Sequence, residues 1–219
     1  ITCVRCDRPD GMFEDYLKRP LFIADYPAID GNILEDNGHI YLYFSRCCFE
    51  HCVNGLEESW IYVTELDGAM ENILYEPRLL LKPEQEWEGR SAPTTRRRWN
   101  EGSFILKDGG KYYMIFSANC YLERHYAMGC AVSGRPDEGF IKQDTNPITC
   151  CTDEITGTGH GCIVRTDTGL MAVYHGRTPA SEAELAGGET RVPFAAAVQI
   201  KDGCLSIDYL NARMLTENC

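Results

Sequence analysis

No apolar run in this chain approaches the roughly 20 residues that a membrane-spanning helix needs. Positive charge is also short: 21 Lys and Arg stand against 33 Asp and Glu, a net charge of -12. A surface of that sign repels phosphate, which argues against nucleic acid or an anionic membrane as a partner and leaves a neutral ligand such as a sugar open. No signal peptide is visible, since Ile1-Thr2-Cys3-Val4 already reads as a strand. Helical patterning is scarce. Apolar positions mostly alternate with period two, as at Tyr41 and Tyr43 or Ile61 and Val63, and Gly, Pro and Asp-Gly turns punctuate the whole length. With 219 residues, 44% of them hydrophobic, the chain reads as one globular all-β domain built of antiparallel hairpins.

Cysteine, by contrast, is plentiful: 12 residues, scattered along the chain. Disulfide scaffolds are usually shorter and poorer in core, so reduced structural thiols are expected, which tilts the compartment toward the cytoplasm. Cys3-x-x-Cys6 and the group Cys47, Cys48, His51 and Cys52 carry zinc-ligand residue types, although the second spacing fits no common finger. A thiol-rich metal or redox protein would need Cys3, Cys6, Cys47, Cys48 and Cys52 to cluster.

One pattern occurs three times. Asp30-Gly31-Asn32-Ile33-Leu34, Glu101-Gly102-Ser103-Phe104-Ile105 and His160-Gly161-Cys162-Ile163-Val164 each lead through a Gly-bearing turn. Each then resumes as a strand: Ile40 to Phe44, Tyr112 to Phe116 and Leu170 to Tyr174. Such self-similarity marks a repeat architecture. Asp30 and Glu101 are 71 positions apart, and Glu101 and His160 are 59 apart. A period of that size holds about four short strands with their turns, the content of one β-propeller blade. Arg8-Pro9-Asp10-Gly11-Met12-Phe13 resembles Arg135-Pro136-Asp137-Glu138-Gly139-Phe140, and both read as outer-edge strands before the crossing to the next blade.

The expected domain is therefore a partial propeller spanning 1–219, with blades at about 21–83, 99–146 and 157–210 and an outer strand of another blade in front. Three and a fraction blades cannot close a ring, because propellers typically have four to eight. Open edges invite association, so a missing N-terminal segment or a second chain is expected to complete it.

Innermost strands run side by side along a propeller axis, so Asp30, Glu101 and His160, at equivalent positions, are expected to meet in one funnel. Two carboxylates facing a shared cavity are the equipment of glycoside hydrolysis, where one group protonates the leaving oxygen while another activates water or attacks. Their environments must push the two pKa values apart. A single acid before Gly is more often a turn residue, and a lone His beside Gly is usually structural; the recurrence in phase favours a shared site. Arg96-Arg97-Arg98-Trp99 either reaches the funnel rim, with Trp99 as a stacking face, or forms a solvated loop over a packed Trp. His175 reads as structural, and Gly187-Gly188 as a mobile loop.

At these residues the chain resembles glycoside hydrolase family 43, five-bladed propeller enzymes acting on arabinose- and xylose-containing polysaccharides. The likeness is carried by Ala28 to Gly38, Asn100 to Lys107, Gly157-Thr158-Gly159-His160-Gly161, Lys111 to Ser117 and Tyr174-His175. Gly31 and Ser103 stand where Pro is common in relatives. The resemblance implies that Glu101 is the general acid and that Asp30 raises its pKa and orients it. His160 matches a histidine near the axis that in relatives lies by a bound metal ion, such as Ca2+, or a water cluster; no cofactor is required. Arg191 matches a substrate-contacting arginine. The implied reaction is an inverting hydrolysis of arabinofuranosyl or xylosyl linkages in plant polysaccharides, with an arabinose- or xylose-containing oligosaccharide as ligand. Its catalytic base belongs to a first blade that is absent here, so the lone chain is expected to be nearly inactive. The alternative is a non-catalytic carbohydrate- or partner-binding propeller fragment.

Overall fold

Three four-stranded sheets account for most of the described residues of this computed structural model, which are 1–178 and 190–215. Gly187-Gly188 and Cys219 lie outside the described residues. The first blade holds β1 (Ala28–Asp36), β2 (His39–Arg46), β4 (Leu56–Leu66) and β5 (Arg78–Leu81), with a short β3 (Cys52–Val53) paired to β4. The second is β6 (Arg97–Asp108), β7 (Lys111–Ala118), β8 (Ala127–Ser133) and β9 (Ile141–Lys142). The third is β10 (Thr156–Thr166), β11 (Gly169–Arg177), β12 (Val192–Lys201) and β13 (Cys204–Ile207), with β14 (Arg213–Met214) also on β12. The sheets do not close on one another, so the architecture is an incomplete propeller. No helix among the described residues is long and apolar enough to cross a membrane.

Local chemistry explains the hairpins. Asn37 and Gly38 both take positive φ, 51° and 84°, as the tight turn between β1 and β2 requires. The second strands of the first two blades are apolar on both faces because each serves two cores. Tyr41 and Tyr43 of β2 face Trp87, Ile105, Met114 and Phe116, between the first and second blades. Ile40, Leu42 and Phe44 face the other way, onto Leu21 and the partly buried Ile1, Leu17 and Phe22. In β7, Tyr112, Met114 and Phe116 turn toward the first blade, whereas Tyr113 and Ile115 turn toward Ile163, Ala172, Tyr174 and Phe194 of the third. Period two thus becomes blade-on-blade packing, at about 1.5–3 kcal/mol for each large side chain fully buried.

Polar contacts set the relative placement of the blades. Residues Glu57 to Ser59 pair in parallel with Arg97 to Trp99, and the side chains reinforce that register. Arg97 Nε lies 3.0 Å from Glu57, Arg98 Nη1 lies 3.8 Å from Glu58, and Arg96 donates to the Gly55 carbonyl at 3.0 Å. The Arg96-Arg97-Arg98 run therefore staples two blades rather than lining a funnel rim. Asp36 accepts from Lys107 and, at 2.6 Å, from Tyr112 across the same interface. Burial alone would raise the Asp36 pKa, but those two hydrogen bonds bring it below the usual carboxylate value. Between the second and third blades, the Gln143 side chain both donates to the Leu205 carbonyl (3.0 Å) and accepts from its N–H (2.8 Å), as a strand neighbour would.

Two sequence expectations change here. Ile1 to Val4 form no strand; the N-terminal segment makes a single bridge, Arg5 to Glu14, and covers the outer face of the first blade. Arg8–Phe13 lies inside that bridge, as Arg135–Phe140 lies between Val132 and its partner Ile141. The repeated motif is thus the turn of an outer hairpin, not an outer strand.

One buried polar cluster supports the strand that carries Glu101. Glu88 is fully buried in the short turn Glu86–Gly89 and accepts from the N–H groups of Glu84 and Gln85, each at 2.6 Å. Lys142 Nζ lies 2.5 Å from Glu88 and 2.8 Å from Asn100 Oδ1, while Asn100 Nδ2 returns to Glu88 at 3.0 Å. Burial lowers the Lys142 pKa, and Glu88 opposes that shift. Lys142→Met would strand the Glu88 charge without its counterion. Urea unfolding should show a loss of about 3–5 kcal/mol. Arg8→Ala, at the exposed Arg8–Asp10 pair, should leave the midpoint unchanged.

Candidate active site

The same bulge interrupts the first strand of every blade. Ile29 pairs with Ser45 and Asn32 with Tyr43, so Asp30 and Gly31 together oppose one residue. Glu101 pairs with Ser117 and Phe104 with Ile115; Gly159 pairs with His175 and Cys162 with Val173. The residue after the last regular pair takes positive φ in each case: Asp30 at 56°, Gly102 at 59° and His160 at 50°. Left-handed backbone costs a non-glycine residue on the order of 1 kcal/mol, and such strain tends to collect at functional sites. A Cβ at Gly102 would stand 3.0 Å from the His160 ring, so glycine lets that ring lie close against the strand.

This register corrects the expected equivalence. Asp30, Gly102 and His160 correspond, whereas Glu101 corresponds to Ile29 and Gly159, one residue earlier. A one-residue offset sends a side chain to the other side of the strand. Glu101 accordingly enters the protein and is 8% exposed, while the His160 side chain stays 46% exposed.

The three residues still meet. Asp30 Oδ1 lies 3.8 Å from His160 Nε2, and Asp30 Oδ2 accepts from the Gly102 N–H at 3.3 Å. Ser45 Oγ accepts from that N–H at 3.2 Å, and Ser117 Oγ accepts from the His160 N–H at 2.7 Å. A serine of one blade thereby holds the bulge of the next. Asp30, Gly102, His160 and His175 help line a cavity of about 350 Å³. An adjoining hollow of about 170 Å³ shares Asp30 and His160 and adds Glu101, Tyr121, Tyr126 and Arg191.

Burial sets the electrostatics of Glu101. Burial pushes the Glu101 pKa up to about 7, and Asp30 adds to the rise; the Tyr126 hydroxyl, donating to Oε1 at 2.8 Å, and the Arg191 charge oppose it. Desolvation is therefore the larger cause, and Asp30 the smaller one. Burial also lowers His175 to about 4, helped by Arg191, His160 and Arg177, so its ring is neutral at pH 7. Arg191 Nη1 comes within 3.5 Å of His175 Nε2, and its guanidinium lies over the Tyr121 ring. A buried carboxyl that keeps its proton up to about pH 7, next to a second carboxyl group and an arginine, is suited to proton transfer onto a bound oxygen.

The sequence profile of the glycosyl hydrolases family 43 matches residues 1–205. The chain belongs to that family. The crystal structure of a thermostable family-43 glycoside hydrolase is similar at TM-score 0.83 and 33% identity, over 94% of this chain and 65% of that one. An endo-1,4-beta-xylanase structure from Bacteroides thetaiotaomicron gives 0.75 and 28%, over 92% and 64%. The beta-D-galactofuranosidase xynD of Aspergillus niger is 27% identical over 176 residues, 78% of this chain and 44% of that protein. The chain thus spans about half to two thirds of the length of these family 43 relatives.

Not every expected residue joins this pocket. Trp99 is 4% exposed and packs with Cys47, Cys48 and Cys120, stacked against Tyr121 at 5.9 Å. Tyr121, not Trp99, lines the hollow, because Trp99 lies two residues before Glu101 and is drawn into the packing between blades. Asp30 Oδ1 is 3.8 Å from His160 Nε2. Among the described residues no group of three or more His, Cys, Asp or Glu side chains is placed to hold a metal ion, so the cysteine groupings do not form a zinc cluster there. The 11 described cysteines are free. Sequence reading missed Ser45, Ser117 and Tyr126. The recurring Phe44-Ser45 and Phe116-Ser117 pairs were a signal for the serines; nothing local marks Tyr126.

Because Glu101 keeps its proton up to about 7 when folded, against an ordinary value of 4.5, its contribution to stability is fully present below pH 4.5 and is lost as pH rises through 7. The wild type should lose on the order of 3 kcal/mol from this group across that window. Glu101→Gln, neutral throughout, should flatten the slope. Parallel slopes in pH-dependent urea unfolding of the two proteins would refute the assignment.

Proposed function

We propose that this protein is a glycoside hydrolase of arabinofuranosyl or xylosyl linkages in plant polysaccharides, acting by inverting acid/base catalysis with Glu101 as the general acid. The observation that carries this reading is the pair of carboxyl groups at one pocket, of which Glu101 is buried and holds its proton up to about pH 7 with Asp30 beside it. Glu101 would protonate the glycosidic oxygen as the bond to the anomeric carbon lengthens, and a water would attack from the opposite face. Asp30 would keep the site negative and orient the acid; Arg191 and His160 would contact sugar hydroxyls. Among the described residues, the carboxylates lining the two cavities are Asp30 and Glu101, and this reading assigns the base that activates water to neither. Support for the sugar class comes from the family and from the endo-1,4-beta-xylanase neighbour; the Aspergillus niger galactofuranosidase extends the range to another furanoside.

A panel of aryl and natural arabinofuranosides and xylosides tests this. Glu101→Gln should lower kcat/KM on natural linkages by about 10²–10⁴-fold. The loss should be smaller on dinitrophenyl glycosides, whose leaving group departs without a proton. In the wild type, activity should fall tenfold per pH unit above about 7, as the acid loses its proton. Full turnover of natural linkages by Glu101→Gln would overturn the role. Saturable sugar binding with no turnover, even by the full-length protein, would favour the non-catalytic binding module.

A further inference from the structure

Tyr126 is the most completely buried polar ring at the site, with no exposed surface. It is held on two sides. A Cβ at Gly159 would fall 2.2 Å from Tyr126 Cε1, so the ring occupies the space that only glycine leaves. The His175 ring stacks against it at 5.7 Å between centroids and 13° between planes. The phenol therefore has one aim, and its oxygen lies 2.8 Å from Glu101 Oε1.

In that hydrogen bond the phenol donates and Glu101 Oε1 accepts. Burial, with the Glu101 charge beside it, holds Tyr126 far above the ordinary tyrosine pKa, so the phenol keeps its proton. Oε1 is an acceptor in either charge state of the carboxyl group.

We propose that Tyr126 is a positioning residue that reserves Oε1 of Glu101 as an acceptor and so confines the carboxylic proton to Oε2. The acid then presents one proton at one atom instead of sharing it between two oxygens. For a group that must hand a proton to a leaving oxygen, such fixed geometry is worth rate. The consequence for rate rests on the hydrolase reading above; the hydrogen bond and its effect on Glu101 do not. Charged and titratable groups facing Glu101 are Asp30, Arg191 and His160 besides Tyr126, with His175 behind the phenol. All of them remain in the variants below.

The test follows the Glu101 carboxyl carbon by NMR in protein labelled with 13C-glutamate, the Glu101→Gln spectrum identifying the resonance. A donor to a carboxylate favours its charged form. Tyr126→Phe should therefore move the Glu101 titration up by about one pH unit. Genetically encoded 3-fluorotyrosine at position 126, a more acidic donor of nearly the same size, should move it down. This second variant keeps the test alive should Tyr126→Phe fail to fold. On substrates, Tyr126→Phe should lower kcat by about tenfold or more with KM little changed, and should carry the alkaline limb of the pH profile upward with the NMR value. An unmoved titration in both variants, a downward shift with Tyr126→Phe or an upward shift with 3-fluorotyrosine would overturn the proposal. Predicted NMR shifts in a full-length protein that hydrolyses no glycoside would leave the proton placement standing and remove the hydrolase reading instead.

Discussion

Everything at the site depends on second strands that are buried on both sides. β2 and β7 send alternate residues into two different cores, and no isolated sheet could satisfy both sets. The first and second blades must therefore each be covered on both faces, and stacking twisted sheets in this way turns them about a common pivot. The first strands, at the inner edge, are brought together as a result. Residues far apart in the chain, Asp30, Glu101 and His160, become neighbours because Tyr41, Tyr43, Tyr113 and Ile115 need partners.

On that frame a single extra residue does the chemical work. The bulge in each first strand bends the backbone into left-handed φ, and a serine from the preceding blade accepts the freed N–H in the second and third. Asp30 and His160 sit on their bulges and stay near solvent. Glu101 sits one residue earlier and enters the protein. Two carboxyl groups that the sequence presents in the same motif thereby receive opposite surroundings, and desolvation raises the buried one to about 7. The Glu88, Lys142 and Asn100 cluster braces the residue just before Glu101, so the acid stands on a rigid strand.

Much of this was legible beforehand. Alternating strands, the threefold motif and its Gly turns gave the blades, because local periodicity and turn chemistry are properties of short segments. The meeting of Asp30, Glu101 and His160 followed from the repeat. Where reading failed, the deciding force was not local. Ile1 to Val4 has strand-like residues but finds almost no ladder partner. Trp99 looks like a sugar platform and is instead consumed by packing with Cys47, Cys48 and Cys120. Arg96, Arg97 and Arg98 look like a rim and are taken up by Glu57, Glu58 and the Gly55 carbonyl on the adjacent strand.

The amino-acid sequence alone determined the all-β class, the repeat and the family, since each is written in residue types and spacings of a few positions. Tertiary structure alone decided which carboxylate is buried, that Tyr126 caps one of its oxygens, and that His175 is neutral beside Arg191. Those properties are set by dielectric and by contacts between blades, and neither exists until the sheets have packed.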